Sequence, residues 1–281
     1  GLLLVPIANP ETVEQLLRTA LDLAAERNDA VEVVTVVEIP HQTPVAEGRR
    51  FVDDEREIIE DALAFAAETA PEVPVSGKIR IGHDASKGIL NTIEQDEADQ
   101  VLLGWRGRGR RRDYILGSNV DRVVKGARCD VLVERIGPAN GTLDSILLPT
   151  AGGPHAQFAT EIVEPLAVRN DATVELLYVR SGETTRADAE SILDTAAADL
   201  EGVETTRTVV ENPSVVQAIV AASAHHDLTV IGAAREGLLK QLVFGAIPEA
   251  VGRRAHSTVL MVKRDLGITS WVTRWFRNPG P

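Results

Sequence analysis

Val101-Leu102-Leu103-Gly104, in the first half of this 281-residue sequence, is answered by Thr229-Val230-Ile231-Gly232 in the second, 128 positions later. Asp130-Val131-Leu132-Val133 is answered by Thr258-Val259-Leu260-Met261 at the same offset of 128. Nearer the start of each half, Leu4-Val5-Pro6 returns as Leu147-Leu148-Pro149, an offset of 143. The halves are therefore one unit written twice, the second about 15 residues shorter in its middle.

Within each unit short apolar runs alternate with segments whose Leu, Ile, Val and Ala recur at helical spacing. The pattern predicts strands over Leu2–Ile7, Val31–Ile39, Val75–Ile81, Gln100–Trp105 and Asp130–Glu134. Between them it predicts helices over Glu11–Arg27, Val52–Thr69, Lys87–Gln95 and Ser118–Lys125. The second unit repeats the strands near 145–149, 172–179, 203–210, 228–232 and 258–263. Strands poor in charge suit a sheet covered on both faces, and alternation with helices calls for parallel crossovers. The expectation is an α/β fold of two tandem domains, each a five-stranded parallel sheet with helices on both faces. The domains are expected over 1–136 and 142–265, followed by a tail over 266–281. The turn-forming Gly137-Pro-Ala-Asn-Gly141 is the expected linker, and the stretch from Pro40 to Gly48 is expected to be a mobile loop.

Composition narrows the function classes. One cysteine, Cys129, excludes a disulfide scaffold. No run approaches the ~20 apolar residues of a membrane-spanning helix, and no signal-peptide pattern opens the chain. The net charge of -13 repels nucleic acid and anionic membranes at long range, so no nucleic-acid partner is expected. Only five of the 29 basic residues are Lys, and dispersed acidity with scarce Lys is read as adaptation to a halophile's salty cytoplasm, where screening removes self-repulsion. The chain opens directly on Gly1-Leu-Leu-Leu-Val5 without Met, as an excised piece of a larger parent would.

The chemistry concentrates on glycines. Gly104 ends a strand, Gly107 follows after two residues, and Gly117-Ser118 opens a helix after nine more. That loop lies at the carboxyl ends of the strands, where open α/β sheets bind ligands. A helix start offers free N–H groups and a positive dipole end, and glycine lets the backbone approach a phosphate. Neither the P-loop nor the three-glycine dinucleotide motif is present, and no P-loop lysine or spaced magnesium carboxylates are evident, so binding is favoured over phosphoryl transfer.

Gly, two residues, Gly, nine residues, Gly and Ser resembles the signature of nucleotide-binding universal stress proteins. Gly104, Gly107, Gly117 and Ser118 meet it, and Pro6 at the end of the first strand and Arg106-Gly-Arg-Gly109 also resemble that family. The resemblance covers nearly the whole chain as a tandem pair and implies Rossmann-like domains that bind ATP or a related adenine nucleotide as a sensor, without catalytic residues. Slow ATP hydrolysis and a need for Mg stay open. By the same resemblance Gly104, Arg106 and Gly107 line the ribose and phosphate path, Gly117, Ser118 and Asn119 hold the phosphates, and Val36 touches adenine. One departure is Ala8, which stands where many such members carry Asp.

The second half departs further. Gly232 is kept, Arg235 replaces the second Gly, and Gly245 is followed by Ala246, so a degenerate second site is expected around Gly232, Arg235 and Gly245. The resemblance also implies that the fifth strands pair across an intrachain pseudo-dimer. It further implies that the chain is the cytosolic regulatory part of a membrane transporter in the same parent, with a homo-oligomer left open. The alternative is a protein-interaction scaffold that binds no nucleotide.

Other candidates read as structural. His225-His226-Asp227 suits capping of a helix end better than a metal, Cys129 is assigned no nucleophilic role, and Arg106 to Arg112 reads as a cationic loop. Trp271 and Trp275 would share one face of a helical tail, to pack on the second domain or meet a partner.

Overall fold

The computed structural model describes residues 1–8, 10–105, 118–137, 141–234 and 244–267. The first unit runs β1 (Leu2–Pro6), α1 (Pro10–Arg27), β2 (Ala30–Glu38), α2 (Asp53–Thr69), β3 (Val75–Gly82), α3 (Ala85–Gln95), β4 (Gln100–Trp105), α4 (Ser118–Gly126) and β5 (Asp130–Arg135). The second runs β6 (Ser145–Pro149), α5 (Pro154–Asn170), β7 (Thr173–Arg180), α6 (Arg186–Ala198), β8 (Thr205–Glu211), α7 (Val215–Ser223), β9 (Leu228–Gly232), α8 (Ala246–Arg254) and β10 (Thr258–Lys263). Part of the expected loop from Pro40 to Gly48 is instead a 3-10 helix over Val45–Phe51. A Cβ on Gly48 would come within 2.3 Å of Ile81 Cγ2, so this segment is seated on β3.

The ten strands form one sheet in the order β3-β2-β1-β4-β5-β10-β9-β6-β7-β8. Every pairing within a unit is parallel, and the units join where β5 and β10 run antiparallel, Met261 opposite Val133. This is the intrachain pseudo-dimer expected of the fifth strands. Alternation along each strand feeds two cores. Leu102, Leu132, Leu260 and Val262 point to the face covered by α1, α2, α5 and α6. Val101, Leu103, Val133, Val259 and Met261 point to the face covered by α3, α4, α7 and α8.

Local chemistry sets the helix starts. Asp84 accepts from Lys87 N at 3.1 Å and begins α3 two residues before the expected Lys87. Thr185 and Asp188 form a reciprocal capping box on α6, and Ser214 caps α7.

The seam between units combines packing with buried polar contacts. Trp105 at the end of β4 lies against Gly252 of α8, where a Cβ would stand 2.8 Å from Trp105 Cζ3. At the positions related by the 128-residue repeat, Ala233 and Val124 reverse the large and small partners. Arg135 Nη2 donates to Ala255 O and Ser257 O, each at 2.8 Å. Arg264 pairs with Glu161 and lies 4.6 Å above the Phe158 ring, and Asp265 N donates to Asp130 Oδ1 at 2.8 Å.

Among the described residues, no helix is long and apolar enough to cross a membrane.

Candidate functional site

In each unit the strand order reverses direction beside the first strand, between β1 and β4 and again between β6 and β9. The connections from those two strands leave on opposite faces, which opens a crevice at their carboxyl ends.

In the first unit β1 ends at Pro6, opposite Val34, and Ile7 N donates to Val34 O at 2.8 Å. Val36 lies beyond that register, on the stretch of β2 above β1. Its side chain turns to α3, where a Cβ on Gly88 would meet Val36 Cγ1 at 3.0 Å. What Val36 presents to the crevice is therefore main chain. Gly104 is the penultimate residue of β4, and a Cβ there would stand 3.0 Å from Leu16 Cδ1 on α1. Ser118 begins α4 and Asn119 is exposed in its first turn. Arg106, Gly107 and Gly117, like the run from Arg106 to Arg112, lie outside the described residues.

Charged groups frame the rim of this crevice. Asp84 Oδ2 accepts from Arg122 Nη1 on α4 at 3.0 Å, and Glu38 Oε1 accepts from Ala85 N at 2.8 Å. The Ser86 hydroxyl and the Lys87 amide hold the Asp84 carboxyl below its ordinary range. His41 stacks on His83, with ring centroids 5.2 Å apart.

The second unit shows the same geometry with different chemistry. Thr150 N donates to Leu177 O at 2.9 Å, and Val179, the repeat of Val36, lies beyond that pair. Gly152 and Gly153 take φ of +77° and +93°, a region that favours glycine, and lead into Pro154 at the start of α5. Gly232 ends β9 where a Cβ would stand 2.5 Å from His155 O, so only glycine lets α5 sit this close. Gly245 has φ +101° and precedes α8, and a Cβ there would meet Ala234 Cβ at 2.6 Å. Arg235 lies outside the described residues.

These elements enclose a cleft of about 420 Å³ whose walls include Gly152, Tyr178, Val179, Val215, Ile219 and Ala234. Its size falls in the range of small-ligand sites. Ala151 stands in the loop where its acidic counterpart would be, as Ala8 does in the first unit. The start of α8 is poorer in hydrogen-bond donors than that of α4. Ala246-Ile247-Pro248 brings no hydroxyl and one fewer N–H than Ser118-Asn119-Val120 at the repeated positions. Glu249 of α8 is 1% exposed, accepts from Phe244 N at 3.1 Å and lies 4.0 Å from Arg253 Nη2.

The family of the chain follows from this doubled crevice and its sequence. The sequence profile of the Universal stress protein family matches residues 2–135 and again 142–263. The chain belongs to the universal stress protein family. It is 27% identical over 271 residues to universal stress protein Rv2005c of Mycobacterium tuberculosis, covering 86% of this chain and 90% of that protein. It is 23% identical over 265 residues to the Na(+)/H(+) antiporter NhaS5 of Synechocystis, with 92% of this chain but only 38% of the antiporter covered. The fold is shared with a universal stress protein from Archaeoglobus fulgidus at a TM-score of 0.66 and 17% identity, covering 94% of this chain and 96% of that one. It is also shared with the cytoplasmic domain of a prokaryotic cation chloride cotransporter at 0.58 and 14%, covering 94% and 95%.

Val179 and Tyr178 were missed in the sequence, although Val179 stands 143 positions after Val36, the offset of the first strands. The remaining candidates resolve structurally. His226 Nδ1 is 2.9 Å from Ala222 O at the end of α7, and Nε2 is 3.0 Å from Glu175 Oε2. Burial pushes the Cys129 thiol up to about 12, which keeps it a poor nucleophile. Trp271 and Trp275 lie outside the described residues.

Proposed function

We propose that the chain is the cytosolic regulatory portion of a membrane transporter and responds to an adenine nucleotide held at the carboxyl edge of its sheet. The observation that carries this reading is the cleft between β6 and β9. Its lining combines the apolar Tyr178, Val179, Val215 and Ile219 with glycine-bearing backbone at Gly152 and Gly232. A flat base suits the wall, and backbone N–H groups with a helix start suit the anionic end. The likeness to an antiporter much longer than this chain supports the transporter assignment.

The two crevices differ in what they ask of the ligand. Ser118 and Asn119 at the head of α4, with the spaced Gly104, Gly107 and Gly117 and the nearby Arg106, favour ATP in the first unit, with or without Mg. Ala246 and Pro248, which bring no hydroxyl and one N–H fewer, disfavour extra phosphate charge, so the cleft at Gly232 favours an adenine ligand with fewer phosphates. The role is sensing, without turnover. The dispersed charge of -13 fits a protein working in concentrated salt.

Thermal unfolding with ATP, ADP, AMP and cyclic AMP tests this. A ligand at a hundred times its dissociation constant stabilises the fold by about 2.7 kcal/mol. Gly117→Val should remove the response to ATP and leave that to AMP, while Val215→Trp should do the reverse. Absence of any shift would leave the scaffold reading, and ATP turnover above a metal-free control would contradict the sensor reading.

A further inference from the structure

A second cavity, of about 250 Å³, lies away from both crevices, at the seam on the face covered by α1 and α5. Both units line it, the first with Gln15, Thr19 and Glu134 and the second with Asn170, Asp227 and Thr258. Most of its charged groups are already engaged. Asp227 Oδ2 accepts from Asp144 N at 2.9 Å and Ser145 N at 3.0 Å. Asp22 Oδ2 accepts from Asn170 Nδ2 at 2.9 Å, and Arg169 Nε stands 3.9 Å from its Oδ1. The Arg18 guanidinium lies over the Phe65 ring at 5.2 Å.

Glu134 is the exception. Its side chain leaves β5 toward α1 and is 1% exposed, and its hydrogen bonds come from Thr19 and Gln15 of α1, the Gln15 Nε2 to Oε1 bond being long at 3.4 Å. Its Oε2 is buried with no hydrogen-bond partner among the described residues. A carboxyl buried in this way either holds its proton or has a positive charge beside it.

We propose that this seam cavity binds a small monovalent cation, an alkali ion or ammonium, in exchange for the proton of Glu134. The donor set fits that class. Hard cations take oxygen ligands, and beside Glu134 stand the Thr19 hydroxyl and the Gln15 amide, both neutral, with the Thr258 hydroxyl, which accepts from Gly137 N at 3.1 Å, on the same cavity wall. Asp22 and Asp227 stay charged at the wall, and Arg18 and Arg169 beside Asp22 supply two positive charges against them, so ionised Glu134 adds one negative charge for one cation. A divalent ion would keep an uncompensated charge, and Arg18 on the cavity wall would add to its repulsion. Desolvation pushes the Glu134 carboxyl up to about 7, against the weaker opposing effect of hydrogen bonds from Thr19 and Gln15. The charged groups around the cavity are Arg18 and Asp22 from α1 and Asp227 before β9, while α5 contributes the neutral Asn170 and, beside Asp22, Arg169. Because Glu134 pairs with Leu260 across the antiparallel junction, occupancy would be felt at the seam itself.

The test compares thermal unfolding of the whole chain in sodium, potassium, ammonium and choline chlorides at equal ionic strength. Above about pH 7 the small cations should raise the midpoint further than choline does, and the difference should fade as the pH falls below that value. Glu134→Gln keeps the shape and neutrality of the protonated acid, and should respond to all four salts alike. Cation addition to unbuffered wild-type protein near neutral pH should release on the order of one proton per chain, fewer if Glu134 is partly ionised. Equal responses to choline and the small cations, a difference that survives in Glu134→Gln, or no proton release would each overturn the proposal. The proton measurement on wild type stands even if the variant fails to fold.

Discussion

Arg27 of α1 donates from Nη2 to the main-chain oxygen of Glu161 in α5 at 2.5 Å, so a side chain of the first unit completes a helix of the second. Pro165, four positions later, stands inside α5 and has no N–H to offer that carbonyl. Arg27 supplies the missing donor, and Nη1 reaches Gln100 Oε1 at 3.1 Å. Arg27→Met should therefore destabilise the chain by about 1–3 kcal/mol, the cost of a buried acceptor left unpaired. In Pro165→Ala the helix can satisfy its own carbonyl. A chemical-denaturation cycle should then show the two changes to be non-additive, the loss from Arg27→Met being smaller in the Pro165→Ala protein than in wild type.

Glu134 gives stability a defined pH dependence. Its folded pKa, about 7, lies above the ordinary value of 4.5, so its neutral form favours the native state fully below about pH 4.5. That contribution is lost as pH rises through about 7 and is constant above. The swing amounts to about 3 kcal/mol. In choline chloride, where no small cation intervenes, the stability difference between Glu134→Gln and wild type should grow by an amount of this order between those limits. A pH-independent difference would show that Glu134 titrates normally.

Gly245 tests the second crevice. Its φ of +101° and the approach of Ala234 Cβ oppose any side chain. Gly245→Ala should lower stability by about 1–3 kcal/mol and weaken AMP binding more than ATP binding, read by calorimetric titration of folded protein. Equal loss for both ligands would place them in one site.

The repeat, the alternation of strands and helices and most strand limits were legible in the sequence because strands such as Gln100–Trp105 and Thr258–Lys263 bury both faces and read as unbroken apolar runs. Start positions slipped where a polar cap decided them: α3 begins at Ala85 because Asp84 holds the Lys87 amide. The seam was visible only as a resemblance. Arg27 and Glu161, 134 residues apart, and Trp105 and Gly252 leave no periodic trace. Glu134 likewise read as the last residue of a strand, since nothing local marks a carboxyl that α1 and the second unit together shield from water. For the glycines, position was legible but cause was not: Gly232 answers the close approach of α5 whether or not a ligand is present.

Net charge -13 predicts a further dependence on salt. Lowering ionic strength with any salt, choline chloride included, should lower the unfolding midpoint through self-repulsion. Stability that does not change with ionic strength would remove the halophilic reading and leave the cation response at Glu134 as a separate question.

Whether this universal stress protein pair holds an adenine nucleotide can be read from the purified protein itself. Freshly purified chain is denatured and the released small molecules are analysed by chromatography and mass spectrometry, alongside back-titration of the stripped protein. An adenine nucleotide should appear in the released fraction and rebind saturably, with ATP sensitive to Gly117 and AMP to Val215. Protein that releases no nucleotide and rebinds neither ATP, ADP, AMP nor cyclic AMP would contradict the assignment.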